Sequence, residues 1–349
     1  MIEEIYEQPT ALAITLESAF NEARRIVQRL DARGLGMVYF IGSGTSYHAC
    51  LCANFALSTL TRMFATSLPA SEFSSWIRHT ERPDILLVAI SQSGESSDVM
   101  GAVNAAIDSG IRVVAVTNVP QSTLARSTDL RLVSKAGEER AVTATKSFTA
   151  TLAAAYAFVL ELAKTYAVGP TVIEPLAANL REARRHVEET IRLCDDKARK
   201  LAVEFKQKEF FFILGSGSNY PVALEGALKL KETCNLYAEG FATREFLHGP
   251  MQLVDDRTPV FILQSHGEAE QAHRLAESFM RFGAPTVAVG PREMDISQES
   301  RTTFEIAQGV AHVLSPLVYV VPLQLFAYYS SVVRGLNPDR PKKLRKVVK

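Results

Sequence analysis

MVYFIGSGTSYHACLCANFALSTL (37–60) and EFFFILGSGSNYPVALEGALKLKET (209–233) are two versions of one pattern. Each opens on an apolar run and turns at Gly-Ser-Gly. Each then passes a polar residue or two and a tyrosine, and continues as a helix-like segment. Working outward, DILLVAISQSGE (84–95) pairs with PVFILQSHGE (259–268), and IRVVAV (111–116) pairs with APTVAV (284–289). Three matched strand-and-turn units in the same order mark a duplicated α/β unit. Short continuous runs of Val, Ile, Leu and Phe suit strands buried on both faces, as in a parallel sheet covered by helices. The fold expected is therefore α/β, with two tandem flavodoxin-like, parallel-sheet subdomains related by internal duplication. Such sheets bind ligands at the carboxyl ends of their strands, where turns meet helix N-termini.

The boundaries follow from the same pattern. Residues 1–30 form a helical lead-in, with Leu12, Leu16, Ala19, Phe20, Ala23 and Val27 at helical spacing. Residues 31–174 are the first subdomain, 175–205 a charged linking helix, 206–336 the second subdomain and 337–349 a basic tail. Of the 349 residues 47% are apolar, which excludes a disordered chain. With 38 basic against 38 acidic side chains the net charge is zero, which argues against nucleic acid as a partner. The N-terminus is acidic and lacks the apolar core of a signal peptide. The 306–333 stretch has no charged residue, but its prolines, glutamines and serines read as a strand end, a loop and a buried helix rather than a membrane span. A cytoplasmic protein is expected. Cys50, Cys52, Cys194 and Cys234 match neither a disulfide framework nor a zinc spacing, and read as buried apolar side chains.

The chemistry gathers at turns and on one helix. The run 85–90 ends in Ser91-Gln92-Ser93-Gly94-Glu95-Ser96, where hydroxyls, backbone N–H groups and a helix dipole would converge on a phosphate monoester. Helix capping alone would explain one of these serines. The matching turn 264–268 has lost most of its hydroxyls, so the first copy is the one read as the anion site. Thr45 and Ser46 lie on the next loop of the same sheet edge and are candidate sugar contacts. AVTATKS (141–147) is a third polar loop, read as a cap with Lys146 solvated. In the second half Glu225, Lys229 and Glu232 lie along one stripe of an otherwise apolar helix, which suggests partly buried charges that tune one another for proton transfer. His248 precedes a Gly-Pro turn.

Taken together these residues resemble the sugar isomerase (SIS) family, and within it the isomerase half of the glutamine–fructose-6-phosphate aminotransferases. The matching words are GTSY (44–47), SQSGE (91–95), TK (145–146), YPVALEGALKLKE (220–232), HGP (248–250) and VPLQL (321–325). The resemblance implies that Ser91, Gln92, Ser93 and Ser96 bind a sugar phosphate, with Ser46 and Thr45 on the sugar side. It implies that Glu232 shuttles a proton, with Lys229 and Glu225 beside it, and that His248 opens the sugar ring from a second subunit, so a homodimer is expected. It places a Schiff-base lysine at Lys346 and a backbone sugar contact at Val142. A serine common in the third loop is Ala144 here, with Thr143 next to it. No metal, no cofactor, no nucleic acid and no membrane partner are implied.

The family's synthases carry a glutaminase domain that does not match this sequence. A stand-alone glucosamine-6-phosphate deaminase is therefore the activity expected. A deglycase of phosphorylated amino-acid–sugar adducts and a non-catalytic sugar-phosphate sensor are the alternatives.

Overall fold

The computed structural model describes residues 1–349 except 31, 78–83, 167, 265–268, 293–299, 301 and 348–349. In chain order the helices begin with α1 (Ile2–Tyr6), α2 (Gln8–Arg29), α3 (Thr45–Leu60), α4 (Ala70–Trp76), α5 (Ser97–Asp108) and α6 (Thr123–Arg126). They continue with α7 (Lys146–Thr165), α8 (Pro170–Arg181), α9 (Ala183–Glu204), α10 (Tyr220–Cys234), α11 (Ala269–Arg281) and α12 (Pro316–Val333). The chain divides into two compact units. One holds residues 7–139, 144–184 and 345–349; the other holds 1–6, 140–143 and 185–344.

In the first unit β1 (Met37–Gly42), β2 (Phe64–Pro69), β3 (Ile85–Ile90), β4 (Arg112–Thr117) and β5 (Arg131–Val133) form a parallel sheet in the order β2-β1-β3-β4-β5. In the second, β6 (Phe210–Gly215), β7 (Tyr237–Ala242), β8 (Val260–Leu263), β9 (Thr286–Gly290) and β10 (Thr302–Glu305) repeat that order as β7-β6-β8-β9-β10. The repeat read in the sequence is thus a repeat of topology, strand for strand. β3 is buried at every position and β4 at all but its first, as continuous apolar runs in a sheet covered on both faces require. The order places the chain reversal between β1 and β3, so the loops after these two strands are neighbours at one sheet edge.

The lead-in splits into α1 and α2, with Pro9 in the first turn of α2 where its missing N–H costs nothing. Leu12, Ala19, Phe20, Ala23 and Val27 are buried as expected, and Leu16 is half-buried. The linking segment is two helices instead of one. At Glu182 the backbone N–H is shared between Ala178 O (3.2 Å) and Asn179 O (3.1 Å), a tightened last turn that ends α8. The uncharged stretch holds no strand end: it starts one residue after β10 and forms a loop, a turn of 3₁₀ helix (His312–Leu314) and α12. His312–Val333 is long and apolar enough to cross a membrane, but 78% of its most apolar window is buried in protein. All four cysteines are unbridged and buried. Burial pushes the Cys234 thiol up to about 11.

Candidate functional site

The serine loop is built by its neighbours. Strand β3 delivers Ser91, whose N–H donates to Val116 O (3.0 Å) and whose Oγ accepts from Gly94 N (3.1 Å). Ser93 Oγ accepts from Glu95 N (3.2 Å). The loop is then tied to the turn after β4: Asn118 N donates to Gln92 O (3.1 Å) and Leu124 N to Gly94 O (3.0 Å). Glu95 accepts from both Thr123 N and Thr123 Oγ1, each at 2.8 Å. Gly94 has φ +66°, and a Cβ there would lie 2.1 Å from Ser122 Oγ, so only glycine fits.

Ser96 is the N-cap residue of α5, yet its side chain makes no capping bond. The capping explanation therefore fails for Ser96, and its hydroxyl is left for another partner. Gln92, Ser93 and Ser96 are half-buried and Ser91 is buried. On the adjacent loop Thr45 and Ser46 open α3 and are half-buried. Hydroxyls and N–H groups are thus gathered beside a helix N-terminus, an arrangement that can accommodate an anion.

The third loop departs from its expectation. Lys146 is not solvated but buried, and its Nζ pairs with Glu7 at 2.5 Å. The cap of α7 comes from Glu139, a residue the sequence reading missed. Its carboxylate accepts from Thr145 N (2.8 Å), Ser147 N (3.1 Å) and Ser147 Oγ (2.6 Å). Lys346 Nζ reaches the same carboxylate at 2.9 Å. In the other unit, Val142 N donates to Asp339 O (3.0 Å), which leaves the Val142 carbonyl for any backbone contact with a sugar. Thr143 is fully buried and its Oγ1 has no hydrogen-bond partner among the described residues, so it does not substitute for an exposed serine at Ala144.

Helix α10 carries the charged stripe. Glu225 and Lys229 are fully buried, whereas the Glu232 side chain keeps 20% of its surface exposed. Lys229 Nζ lies 3.0 Å from Glu225 Oε1 and 2.8 Å from Glu232 Oε2. Burial works against the Lys229 charge, but the two carboxylates outweigh it and raise its pKa, so the ammonium is retained. The helix sits close to its neighbours because Gly226 lacks a side chain: a Cβ there would meet Leu323 Cδ1 at 2.5 Å and Ile213 Cδ1 at 3.0 Å. Of the three stripe residues, Glu232 is the one that can touch a ligand, while Lys229 and Glu225 can only position it.

His248 follows β7 and a turn of 3₁₀ helix, Glu245–Leu247. It is exposed, and its ring has no partner among the described residues. The loop that bears it is anchored by Phe246, which is fully buried with its ring 4.9 Å from Phe212 and 6.0 Å from Phe279. The turn 264–268, contrasted with the serine loop in the sequence, lies outside the described residues except for Gln264, which is buried.

With this geometry in hand, comparison with known proteins is specific. The SIS domain model matches residues 36–161 and 204–334. The chain is 39% identical over 358 residues to a glutamine–fructose-6-phosphate aminotransferase (isomerizing) of Pyrobaculum aerophilum, and 36% identical over 355 residues to that of Thermococcus kodakarensis. Both alignments cover 100% of this chain and 57% of the relative, so the chain spans little over half the length of the curated relatives it matches. The solved C-terminal domain of glucosamine-fructose-6-phosphate aminotransferase from Francisella tularensis superposes with a TM-score of 0.90 at 27% identity, covering 98% of each chain. The two matched stretches carry the two five-stranded sheets, and the chain belongs to the SIS domain family.

Proposed function

We propose that this protein converts glucosamine 6-phosphate and water to fructose 6-phosphate and ammonia. The observation that carries the reading is the α10 stripe: a buried ammonium clamps two carboxylates and leaves one of them, Glu232, open to a ligand. That is the equipment for moving a proton between adjacent carbons. The relatives named above are glutamine–fructose-6-phosphate aminotransferases (isomerizing), and the solved structure named with them is the C-terminal domain of such an enzyme.

The serine loop takes the phosphate, through the Ser96 hydroxyl and the N–H groups that open α5. Fixing that end orients the sugar, which accounts for a large part of the rate in such reactions. His248 moves a proton from O1 to O5 as the ring opens; its exposed ring suits delivery from a second copy of the chain. Glu232 removes the proton from C2 and returns it to C1, while the amine nitrogen loses one proton and O1 gains one, so that the aldehyde at C1 becomes an alcohol and the amine-bearing C2 an imine. Water adds to that imine and ammonia leaves. With water in excess and ammonia scarce, mass action favours this direction. Lys346 closes the site and can condense with the ketose carbonyl.

The test is direct. Purified protein is incubated with glucosamine 6-phosphate, and ammonia and fructose 6-phosphate are measured together. Equal yields are expected, with kcat lowered by roughly 10²–10⁴-fold in Glu232→Gln, the contribution typical of a positioned acid–base. No turnover, or turnover unchanged by that substitution, overturns the proposal.

A further inference from the structure

Glu139 does more than a cap requires. A neutral Ser or Asn can satisfy the first N–H groups of a helix. Here a full carboxylate with a completely buried side chain stands in that place, and Thr145, the N-cap residue itself, makes no capping bond. A buried carboxylate is costly unless it is paired and hydrogen-bonded. Two backbone N–H groups and the Ser147 hydroxyl supply the hydrogen bonds. The counter-charge comes from Lys346, 207 residues further along the chain, at 2.9 Å. Burial pushes the Glu139 pKa up, but Lys346 and the donors of Ser147 and Thr145 outweigh it, so the carboxyl is held below its ordinary value and stays ionised. The lysine is not sealed with it: its side chain keeps 27% of its surface, while Lys342, Lys343 and Arg345 just before it are exposed.

We propose that Glu139 is a positioning residue for Lys346, a latch that fixes the C-terminal tail and presents the lysine amine at a defined place. This rests on the role assigned to Lys346 above. The latch differs from a generic surface ion pair in two respects. Its acidic half is immobilised at the start of a 20-residue buried helix. Its basic half is the one described tail cation with a buried anionic partner.

The experiment uses the full chain as wild type, Glu139→Gln, Lys346→Met and the double variant. Limited trypsin digestion followed by intact mass reads release of the tail at Lys342, Lys343 and Arg345. Each single variant is expected to be cut about tenfold faster or more, because proteolysis tracks the population of the opened tail. The double variant should be no faster than the singles, since both remove one interaction. Tail cleavage at the wild-type rate in both singles, or multiplying effects in the double, overturns the latch. Lys346→Met keeps the hydrogen bonds of the helix cap, and its Tm is read beside the digestion: faster tail cleavage with no faster cleavage elsewhere supports the latch if Glu139→Gln folds poorly, and faster cleavage throughout the chain overturns it.

A second readout separates positioning from structure. The Lys346 ammonium first gives its proton to water; the free amine then condenses with the ketose carbonyl of fructose 6-phosphate and releases water, and borohydride delivers the hydride that fixes the imine as a secondary amine. Labelling of Lys346 should fall about tenfold in Glu139→Gln, with the Kd for fructose 6-phosphate changed by less than about threefold. Undiminished labelling overturns the proposal. If the wild type takes no label, the assignment of Lys346 falls, and the trypsin result alone decides whether Glu139 latches the tail.

Discussion

Replacing Lys229 by Met removes one buried charge and strands another. Glu225 is completely buried, and Lys229 is its ion-pair partner at 3.0 Å. Glu232 is different, because its partly exposed side chain can turn to water when the ammonium is gone. The cost is therefore that of one orphaned interior carboxylate, about 3–5 kcal/mol. For a unit of this size about 1 kcal/mol moves the midpoint by roughly 2–4 °C, so the expected fall in Tm is roughly 6–20 °C. The effect should be the same from about pH 6 to about pH 9. The Lys229 pKa is raised above an unfolded value near 10.4, so its contribution is fully present below that value and is lost only as the pH climbs through the folded one. The decisive control is Glu225→Leu combined with Lys229→Met. Removing both halves of a buried pair is often neutral or stabilising, so the double variant should recover most of the loss. Differential scanning fluorimetry and urea titration read both. A Lys229→Met protein as stable as wild type, or a double variant no better than the single, would refute the description of α10 as a clamp of coupled charges.

Two further outcomes follow from the first unit. Gly94→Ala and Gly110→Ala both force a side chain onto a positive φ, at +66° and +70°, which costs about 1–2 kcal/mol in each, and Gly94→Ala should lose more because of its steric clash. Only the Cβ at 94 collides with Ser122, whereas nothing lies within 4 Å of one at 110. Phosphate-ester affinity by calorimetry should therefore drop about tenfold or more in the first variant alone; equal affinity in the two would detach the serine loop from anion binding. Glu139 sets an acid limb. Its folded pKa lies below the ordinary 4.5, so its stabilisation is complete above about pH 4.5 and disappears as the pH falls through the folded value. Urea midpoints taken from about pH 6 down to about pH 3 should fall less steeply for Glu139→Gln than for wild type, and parallel curves would contradict the assignment.

What the sequence disclosed and what it hid divide along physical lines. Periodic apolar runs and repeated Gly-Ser-Gly turns are local signals, and they disclosed the duplicated α/β unit that the structure shows as two parallel sheets of one strand order. The Glu225, Lys229 and Glu232 stripe was legible because helical spacing is a local rule. Glu139 was not, because its ion-pair partner Lys346 lies in the tail, 207 residues further on. Lys146 misled for the same reason, since a lysine beside a polar turn reads as solvated until Glu7 is brought to it by the fold. The break at Glu182 was hidden because a single tightened turn changes no residue pattern.

The partition of the chain has a consequence for biosynthesis. Residues 345–349 belong to the same unit as residues 7–139, and residues 1–6 to the unit that otherwise begins at 140. The earlier-translated unit therefore cannot be finished when its last strand leaves the ribosome. Its interior anion at Glu139 stays without a counter-ion until Lys346 has been polymerised 207 positions later. Completion of that unit thus waits for residues 345–349, and a chain that stops between residues 184 and 345 would leave Glu139 without the counter-ion it has here.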